Sequence, residues 1–296
     1  GLADLELWPN FVAACEARGI PVSVSNGRIS ERSYGGYRKL RPLLRRSFAT
    51  LSAVAAQDEA YAARFAALGV AEDRVMVTGS MKWDSAPDPT GSGLSPRARA
   101  VAQEMGIDPD RPVLVAGSTG PGEESLIAGA VPRGVQLVCA PRKPERFDEA
   151  AQAMPGCVRR SGGVRGSGEF FLLDTLGELG VAYELADAVV VGRSFGPIDG
   201  PVQGSDPMEP AALGKPVLTG PAHANFATVV SALEQSGALR VVGRESLESA
   251  LAGLFGNSED RDSMSRAALA CVAEHRGASA RHASMLLELA RANRSG

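Results

Sequence analysis

Residues 205–220 read SDPMEPAALGKPVLTG, and the rest of the chain is interpreted outward from them. Asp206 is a helix-capping residue type, Pro207 suits the first helical position, and Glu209 stands three residues beyond the cap, the spacing of a capping box. Gly214 ends a short helix, and Pro216-Val217-Leu218 returns to a strand. Upstream, Ala188-Val189-Val190-Val191 is apolar on consecutive residues, as a strand buried on both faces must be. Strand, long Gly/Pro/Ser loop, capped helix and strand make an α/β crossover. Its helix N-terminus offers unpaired backbone N–H groups to an anion. The loop 193–204 is long for a plain joint, and an acid in the first helical turn can accept hydrogen bonds from ribose hydroxyls.

The same alternation extends in both directions. Strands are predicted at 112–117, 135–140, 170–174, 188–192, 216–219 and 239–242. Helices are predicted at 122–130, 144–154, 177–186, 207–213, 224–236 and 245–255, with two amphipathic helices, 258–274 and 279–293, closing the chain. Met285, Leu286 and Leu289 share one face of the last helix. Consecutive apolar strands separated by helices imply a six-stranded, doubly wound parallel sheet. Before it, Ser85 to Pro96 (SAPDPTGSGLSP) reads as a linker. Residues 1–84 alternate as well: a helix at 10–18, a strand at 21–25, a basic helix carrying Arg38, Lys39, Arg41, Arg45 and Arg46 on an apolar face of Leu40, Leu43 and Leu44, a strand at 52–56, a helix at 58–68 and a strand at 74–79. The chain opens on Leu2-Ala3-Asp4-Leu5 as though inside a domain, so a preceding segment is expected and the first lobe is read as incomplete.

Composition narrows the function classes. The 296 residues suffice for two domains burying about three-quarters of their extended surface. Lys and Arg total 31 against 34 Asp and Glu, a formal charge of −3, so no global basic bias points to nucleic acid. Cys15, Cys139, Cys157 and Cys271 are scattered without a CxxC pair, and there are three histidines. That is neither a disulfide framework nor a zinc site, and a reducing cytosol is the expected compartment. No apolar run reaches the ~18–20 residues of a membrane span.

Ligands of doubly wound sheets bind beyond the carboxyl ends of the strands, so the residues that follow strands are the candidates. After the strand at 112–117 come Gly117-Ser118-Thr119-Gly120-Pro121-Gly122, small residues that let backbone donors approach a phosphate. Pro141-Arg142 follows the next strand, and Arg142 can fork onto a phosphate or a base edge. Thr175-Leu176-Gly177-Glu178 follows the third, again with cap-box spacing. His223, beside Pro221, reads as a loop or capping residue. In the first lobe Asn26, Arg28, Arg32 and Lys82 follow strands, and the cations among them suit an anionic donor. The basic helix is either a solvated face or a patch for anionic lipid.

Seven segments occur in one order: LELWPN (5–10), NGRISERSYGGYR (26–38), TGSMKWD (78–84), AGSTGPGEE (116–124), PRKPERF (141–147), DTLGELG (174–180) and DPMEPAALGKPVLTGP (206–221). In order and spacing they resemble bacterial 3-deoxy-D-manno-octulosonic acid (Kdo) transferases, two-lobed GT-B glycosyltransferases, along nearly the whole chain. The resemblance implies inverting transfer of Kdo from CMP-Kdo to a lipid A precursor in lipopolysaccharide biosynthesis, without a cofactor or metal. It also implies a cytoplasmic protein held peripherally on the anionic inner membrane. Residues 97–280 would be the donor-binding lobe, 1–84 the later part of the acceptor lobe, and 281–296 a terminal helix. Pro141, Arg142, Leu176, Gly177 and Glu178 would surround the nucleoside. Asp206 and Glu209 would hold ribose and phosphate, with Ser118, Thr119, Ser194, Ser205 and Lys82 about the phosphate or sugar carboxylate. Asn26, Arg28 and Arg32 would lie on the sugar or acceptor side. Glu6 is the carboxylate of this chain put forward as catalytic; the family's general base lies in a segment upstream of LWPN. Ser205 and Asp206 stand where the family usually has histidine and asparagine, Gly120 and Lys143 where it has histidine, and Arg193 where it has glycine. The changes at Asp206, Gly120 and Lys143 favour a diverged non-catalytic relative; a transferase using another nucleotide sugar is the other alternative.

Overall fold

A computed structural model of the chain describes residues 1–3, 7–85, 93–163 and 168–292. They form two compact units, Gly1–Ser85 with His275–Gly296, and Ala86–Glu274. The closing helix thus belongs with the first unit.

That unit contains β1 (Leu2–Ala3), α1 (Pro9–Glu16), β2 (Ser23–Gly27), α2 (Glu31–Lys39), α3 (Arg41–Ala49), β3 (Ala53–Ala56), α4 (Glu59–Leu68) and β4 (Val75–Val77). The strands pair in parallel in the order β1-β2-β3-β4. One face is packed by Val12, Val24, Ile29, Phe48, Val54, Phe65 and Leu68. On the other, Ala53 and Ala55 meet Met285 and Leu289 of the final helix (Ala278–Ala292), while Leu286 turns partly to solvent. Alanine on that face of β3 lets a helix lie close. The single basic helix expected across 38–46 is two helices. Ser30 caps α2 through Ser33 N–H at 3.2 Å, and the chain breaks at Leu40 ahead of Pro42, which suits the start of α3. Its expected apolar face is only partly used: Leu44 packs inward, but Leu40 and Leu43 are exposed.

The second unit begins with α5 (Pro96–Met105), capped by Ser95 Oγ on Ala98 N–H at 3.1 Å and ended by Gly106 at φ +78°. There follow β5 (Val113–Thr119), α6 (Glu123–Ala130), β6 (Gln136–Pro141), α7 (Phe147–Ala153), β7 (Val158–Arg159), β8 (Phe170–Leu172), α8 (Leu179–Leu185), β9 (Ala188–Val191), α9 (Met208–Ala212), β10 (Val217–Thr219), α10 (Ala227–Gln235), β11 (Leu239–Val241), α11 (Leu247–Gly256) and α12 (Ser258–His275). α13 is the Ala278–Ala292 helix already described. The described strands form one parallel sheet of seven, in the order β11-β10-β9-β5-β6-β8-β7. The sequence reading placed six; β7, two residues on an edge, carries no periodicity to reveal it. Leu114, Ala116, Leu137, Cys139, Val190 and Leu218 alternate towards one face and pack on Ile127, Leu247, Leu251 and Leu254 from the helices. Burial on both faces is what selects the unbroken apolar strands seen in the sequence.

The strand order reverses between β5 and β9. β5 leads outward through β6 to β8 and β7, and the chain then returns to place β9 on the opposite side of β5, with β10 and β11 beyond. A reversal of this kind opens a crevice at the carboxyl ends of the two central strands.

Candidate functional site

The two central strands come together tightly at their carboxyl ends. Gly192 follows β9, and a Cβ there would fall 2.6 Å from Thr119 Cα and 2.7 Å from Glu123 Oε2. Only glycine fits. Ser118 and Arg193, one at each strand end, both hold left-handed backbone conformations, φ +56° and +59°. Non-glycine residues adopt this region at a cost, and such residues concentrate at binding sites.

Between the strand ends lies the carboxylate of Glu123, from the first turn of α6 and itself buried. Its Oε2 accepts the N–H groups of Gly120 at 2.8 Å and Arg193 at 2.6 Å; its Oε1 accepts those of Ser194 and Phe195, each at 2.9 Å. The small-residue turn expected to cradle a phosphate is therefore partly occupied by the protein's own anion. Ser194 is likewise internal. Its hydroxyl donates to Val191 C=O at 2.7 Å and accepts Gly220 N–H at 2.8 Å, and it is fully buried. Placed by sequence beside the donor, Ser194 instead joins the loops after β9 and β10. Thr119 is corrected in the same way. Fully buried, it donates to Glu124 Oε1 at 2.7 Å. Arg146 then forks onto Glu124, Nη1 to Oε1 at 2.7 Å and Nη2 to Oε2 at 2.9 Å, and also bonds Glu149. This internal ion network locks the start of α6. Ser118, by contrast, has a hydroxyl without a protein partner among the described residues.

Glu209 on α9 is half-buried and accepts no hydrogen bond from the protein among the described residues. Burial, with the nearby Asp206 charge, raises its carboxyl above the ordinary glutamate value. Gly180 makes its place, since a Cβ there would fall 2.4 Å from Glu209 Oε1. The phenol of Tyr183, on α8, lies against Gly117 of β5, where a Cβ would come within 2.1 Å of its oxygen. Burial, then the Glu209 and Asp206 charges, push that phenol well up from its ordinary value. Asp206 does not form the expected capping box. The N-cap is Pro207, and Asp206 Oδ1 instead takes Met208 N–H at 2.9 Å, so α9 starts later and runs five residues. Beside it, Ser205 Oγ is buried and has no hydrogen-bond partner among the described residues.

The loops after β6 and β8 emerge from neighbouring strands, with Cys139 opposite Leu172. Pro141 ends β6 and is buried. Arg142 is exposed, its N–H bonded to Thr119 C=O at 3.1 Å and its guanidinium without an ion pair among the described residues. Leu176 is 76% exposed on a turn closed by Gly177 at φ +81°. Glu178, named with them, is held within the protein: Arg97, Arg160 and Thr175 all bond its carboxylate. Burial alone would raise its pKa, but the bonds from Arg160 and Thr175 outweigh that and keep it below the ordinary glutamate value. The sequence motif marked the turn correctly in position, but the acid within it is a structural anchor. His223 Nδ1 lies 2.9 Å from Gly220 C=O, tying a loop as expected.

In the first unit, Asn26 also has a left-handed backbone, φ +54°. Its Oδ1 accepts Met81 N–H at 3.2 Å and its carbonyl accepts Gln57 Nε2 at 3.0 Å, so it fastens the strand-end loops of β2, β3 and β4. Arg28 and Lys82 are exposed at the same carboxyl edge, and Arg32 lies on α2. Glu6 lies outside the described residues. Among the described residues there is no cluster of three or more metal-ligating side chains, no disulfide, and no helix long and apolar enough to cross a membrane.

Two parallel α/β units, with a crevice at the strand reversal of the second, define a Rossmann-like chain of the GT-B class. The solved structure of HepE from Anabaena in complex with UDP has this fold, with a TM-score of 0.61 at 18% identity over 95% of this chain and 75% of that one. The C-terminal CMP-Kdo binding domain of WaaA from Acinetobacter baumannii matches at TM-score 0.54 and 26% identity, covering 60% of this chain and 96% of that one. The family model for 3-deoxy-D-manno-octulosonic-acid transferase (kdotransferase) matches residues 2–85. The 3-deoxy-D-manno-octulosonic acid transferases of Bordetella pertussis and Haemophilus influenzae are 34% and 30% identical over 95% and 93% of this chain. The chain belongs to this Kdo transferase family. It spans 66% of the length of those two relatives.

Proposed function

We propose that the protein is a glycosyltransferase that moves Kdo from CMP-Kdo to a lipid A precursor by inverting displacement at the anomeric carbon. The observation that carries the donor half is Glu209: a half-buried carboxylate that accepts no hydrogen bond among the described residues, packed against Gly180 and near Tyr183, whose phenol lies against Gly117 of β5. Two carboxylate oxygens match the two hydroxyls of a ribose, and binding them replaces water at a group that burial already disfavours. Exposed Arg142, Leu176 and Gly177 offer a cation and an apolar surface to the base. Ser118, Ser205 and Asp206 lie about the phosphate. In the chemical step, a carboxylate takes the proton of the attacking sugar hydroxyl, Glu6 being the candidate this chain supplies, and CMP leaves against cationic side chains. Asn26, Arg28 and Arg32 serve the sugar or acceptor side, and Lys82 the donor's phosphate or sugar carboxylate. The reading calls on no cofactor or metal.

For the acceptor and membrane half, the support is the surface of the first unit. Leu40 and Leu43 are exposed between the arginines of α2 and α3, an arrangement suited to an anionic lipid interface. Peripheral attachment to the cytoplasmic face of the inner membrane belongs to the same proposal.

Calorimetric titration with CMP, with UMP as control, tests the donor assignment. Saturable CMP binding that exceeds UMP binding and falls at least tenfold in Glu209→Gln is expected. No binding at millimolar CMP by a folded chain would remove CMP-Kdo as the donor.

A further inference from the structure

At the reversal between β5 and β9, the backbone donors a phosphate ordinarily uses are taken. The N–H groups of Gly120, Arg193, Ser194 and Phe195 all end on Glu123. An incoming oxyanion there needs a side-chain donor instead. Arg193 is built into that position. Its backbone is fixed on both sides, by its N–H on Glu123 and by Gly204 N–H on its carbonyl at 2.7 Å. Its side chain starts across the turn that precedes α6: a Cβ at Gly120 would lie 3.3 Å from Arg193 Cγ. Arg97, Arg146, Arg159 and Arg160 of the same unit are each pinned to carboxylates. The Arg193 guanidinium has no hydrogen bond, ion pair or ring contact among the described residues. Packing therefore gives no reason for arginine at φ +59°, a conformation that glycine adopts without steric cost.

We propose that Arg193 recognises the phosphate of the nucleotide donor, taking with its guanidinium the role that the Glu123-bound backbone donors cannot play. The inference rests on the reading of this crevice as a nucleotide site. It adds to that reading the group that separates a nucleoside monophosphate from a nucleoside. The planar fork of arginine matches two phosphate oxygens, which a lysine cannot do.

The test titrates the full chain, Arg193→Gly and Arg193→Lys with CMP and with cytidine, and records the thermal midpoint of each. Arg193→Gly should keep or raise the midpoint, weaken CMP at least tenfold, and leave cytidine unchanged; Arg193→Lys should recover part of the loss. Equal CMP affinity in wild type and Arg193→Gly would overturn the proposal while leaving the nucleotide site standing. So would parallel losses of CMP and cytidine, or a lowered midpoint in Arg193→Gly, since either would make the residue structural. A folded wild type that binds neither ligand would refute the nucleotide reading, and the role of Arg193 with it.

Discussion

Glu123 Oε2 lies 2.6 Å from the backbone nitrogen of Arg193, a residue seventy positions further along the chain. Through this bond and its three companions, the first turn of α6 fixes the loop that follows β9. The crevice is therefore shaped by a carboxylate that no ligand needs to touch. Replacing Glu123 with Gln turns one acceptor oxygen into an NH2 facing N–H donors. We expect a loss of about 2–4 kcal/mol, read by chemical denaturation, because buried donors lose a charged acceptor. A loss within 0.5 kcal/mol of zero (roughly the noise for surface substitutions) would contradict the staple.

Gly117 and Tyr183 form the second tight contact. Gly117→Ala places a methyl where the phenol oxygen sits, and overpacking of this kind costs about 1–3 kcal/mol. Tyr183→Phe removes the nearest clashing atom but leaves ring carbon Cζ at 2.7 Å, so the double variant should recover part of the loss. A double-mutant cycle measures this coupling; strict additivity would mean that the two residues do not meet as described.

The Glu209 carboxyl is raised in the folded protein, so it contributes stability that is present below the ordinary glutamate value near 4.5 and lost as pH rises through its higher folded value. In that window the folded state binds more protons than the unfolded one. Glu209→Gln should remove this decline, so that its stability relative to wild type grows as pH climbs above 4.5. Parallel pH profiles for the two proteins would show the site to be no less hydrated than open solvent.

Glu178 and Asp174 act in the opposite sense. Burial opposes their ionisation, yet hydrogen bonds from Arg160 and Thr175 to Glu178, and from Ser161 and Arg159 to Asp174, hold both carboxyls below their ordinary values. Their stabilisation is present above the ordinary range and disappears as pH falls through the lowered values. Glu178→Gln should destabilise the protein at neutral pH and reduce its further loss in acid. If it left stability untouched at pH 7 and abolished CMP binding, the residue would be a ligand contact, not an anchor.

Much of this architecture was legible in the residues. Ala188–Val191 and Val113–Ala116 read as strands because both faces are buried, and the strand boundaries follow the apolar runs closely. Local chemistry was misread where it sat beside a stronger signal. Ser95-Pro96 and Gly106 are a complete start and stop for α5, but Ser95-Pro96 close the Gly/Pro/Ser run that reads as a linker, most of which (86–92) lies outside the described residues. Likewise Asp206 has the composition of a cap, yet Pro207 occupies the cap position and the helix begins one residue later than that cap requires. The break at Leu40 was signalled by Pro42 and overridden by the run of arginines. Site chemistry was least visible. Glu123 and Glu124 look alike in sequence, but one staples the loop after β9 and the other pairs with Arg146, contacts set by topology rather than spacing. For the same reason Ser194 and Thr119, polar residues at strand ends, proved to face inward. The motif at 206–221 spans the helix carrying Glu209, an acid that accepts no hydrogen bond among the described residues.

The crystal structure of the chain with CMP bound tests the central claim most directly. The ribose is expected on Glu209, the base against the Arg142 and Leu176 loops, and the phosphate between Ser118 and the Arg193 guanidinium. CMP bound away from the carboxyl ends of β5 and β9, or lying there with Glu209 turned from the ribose, would contradict it.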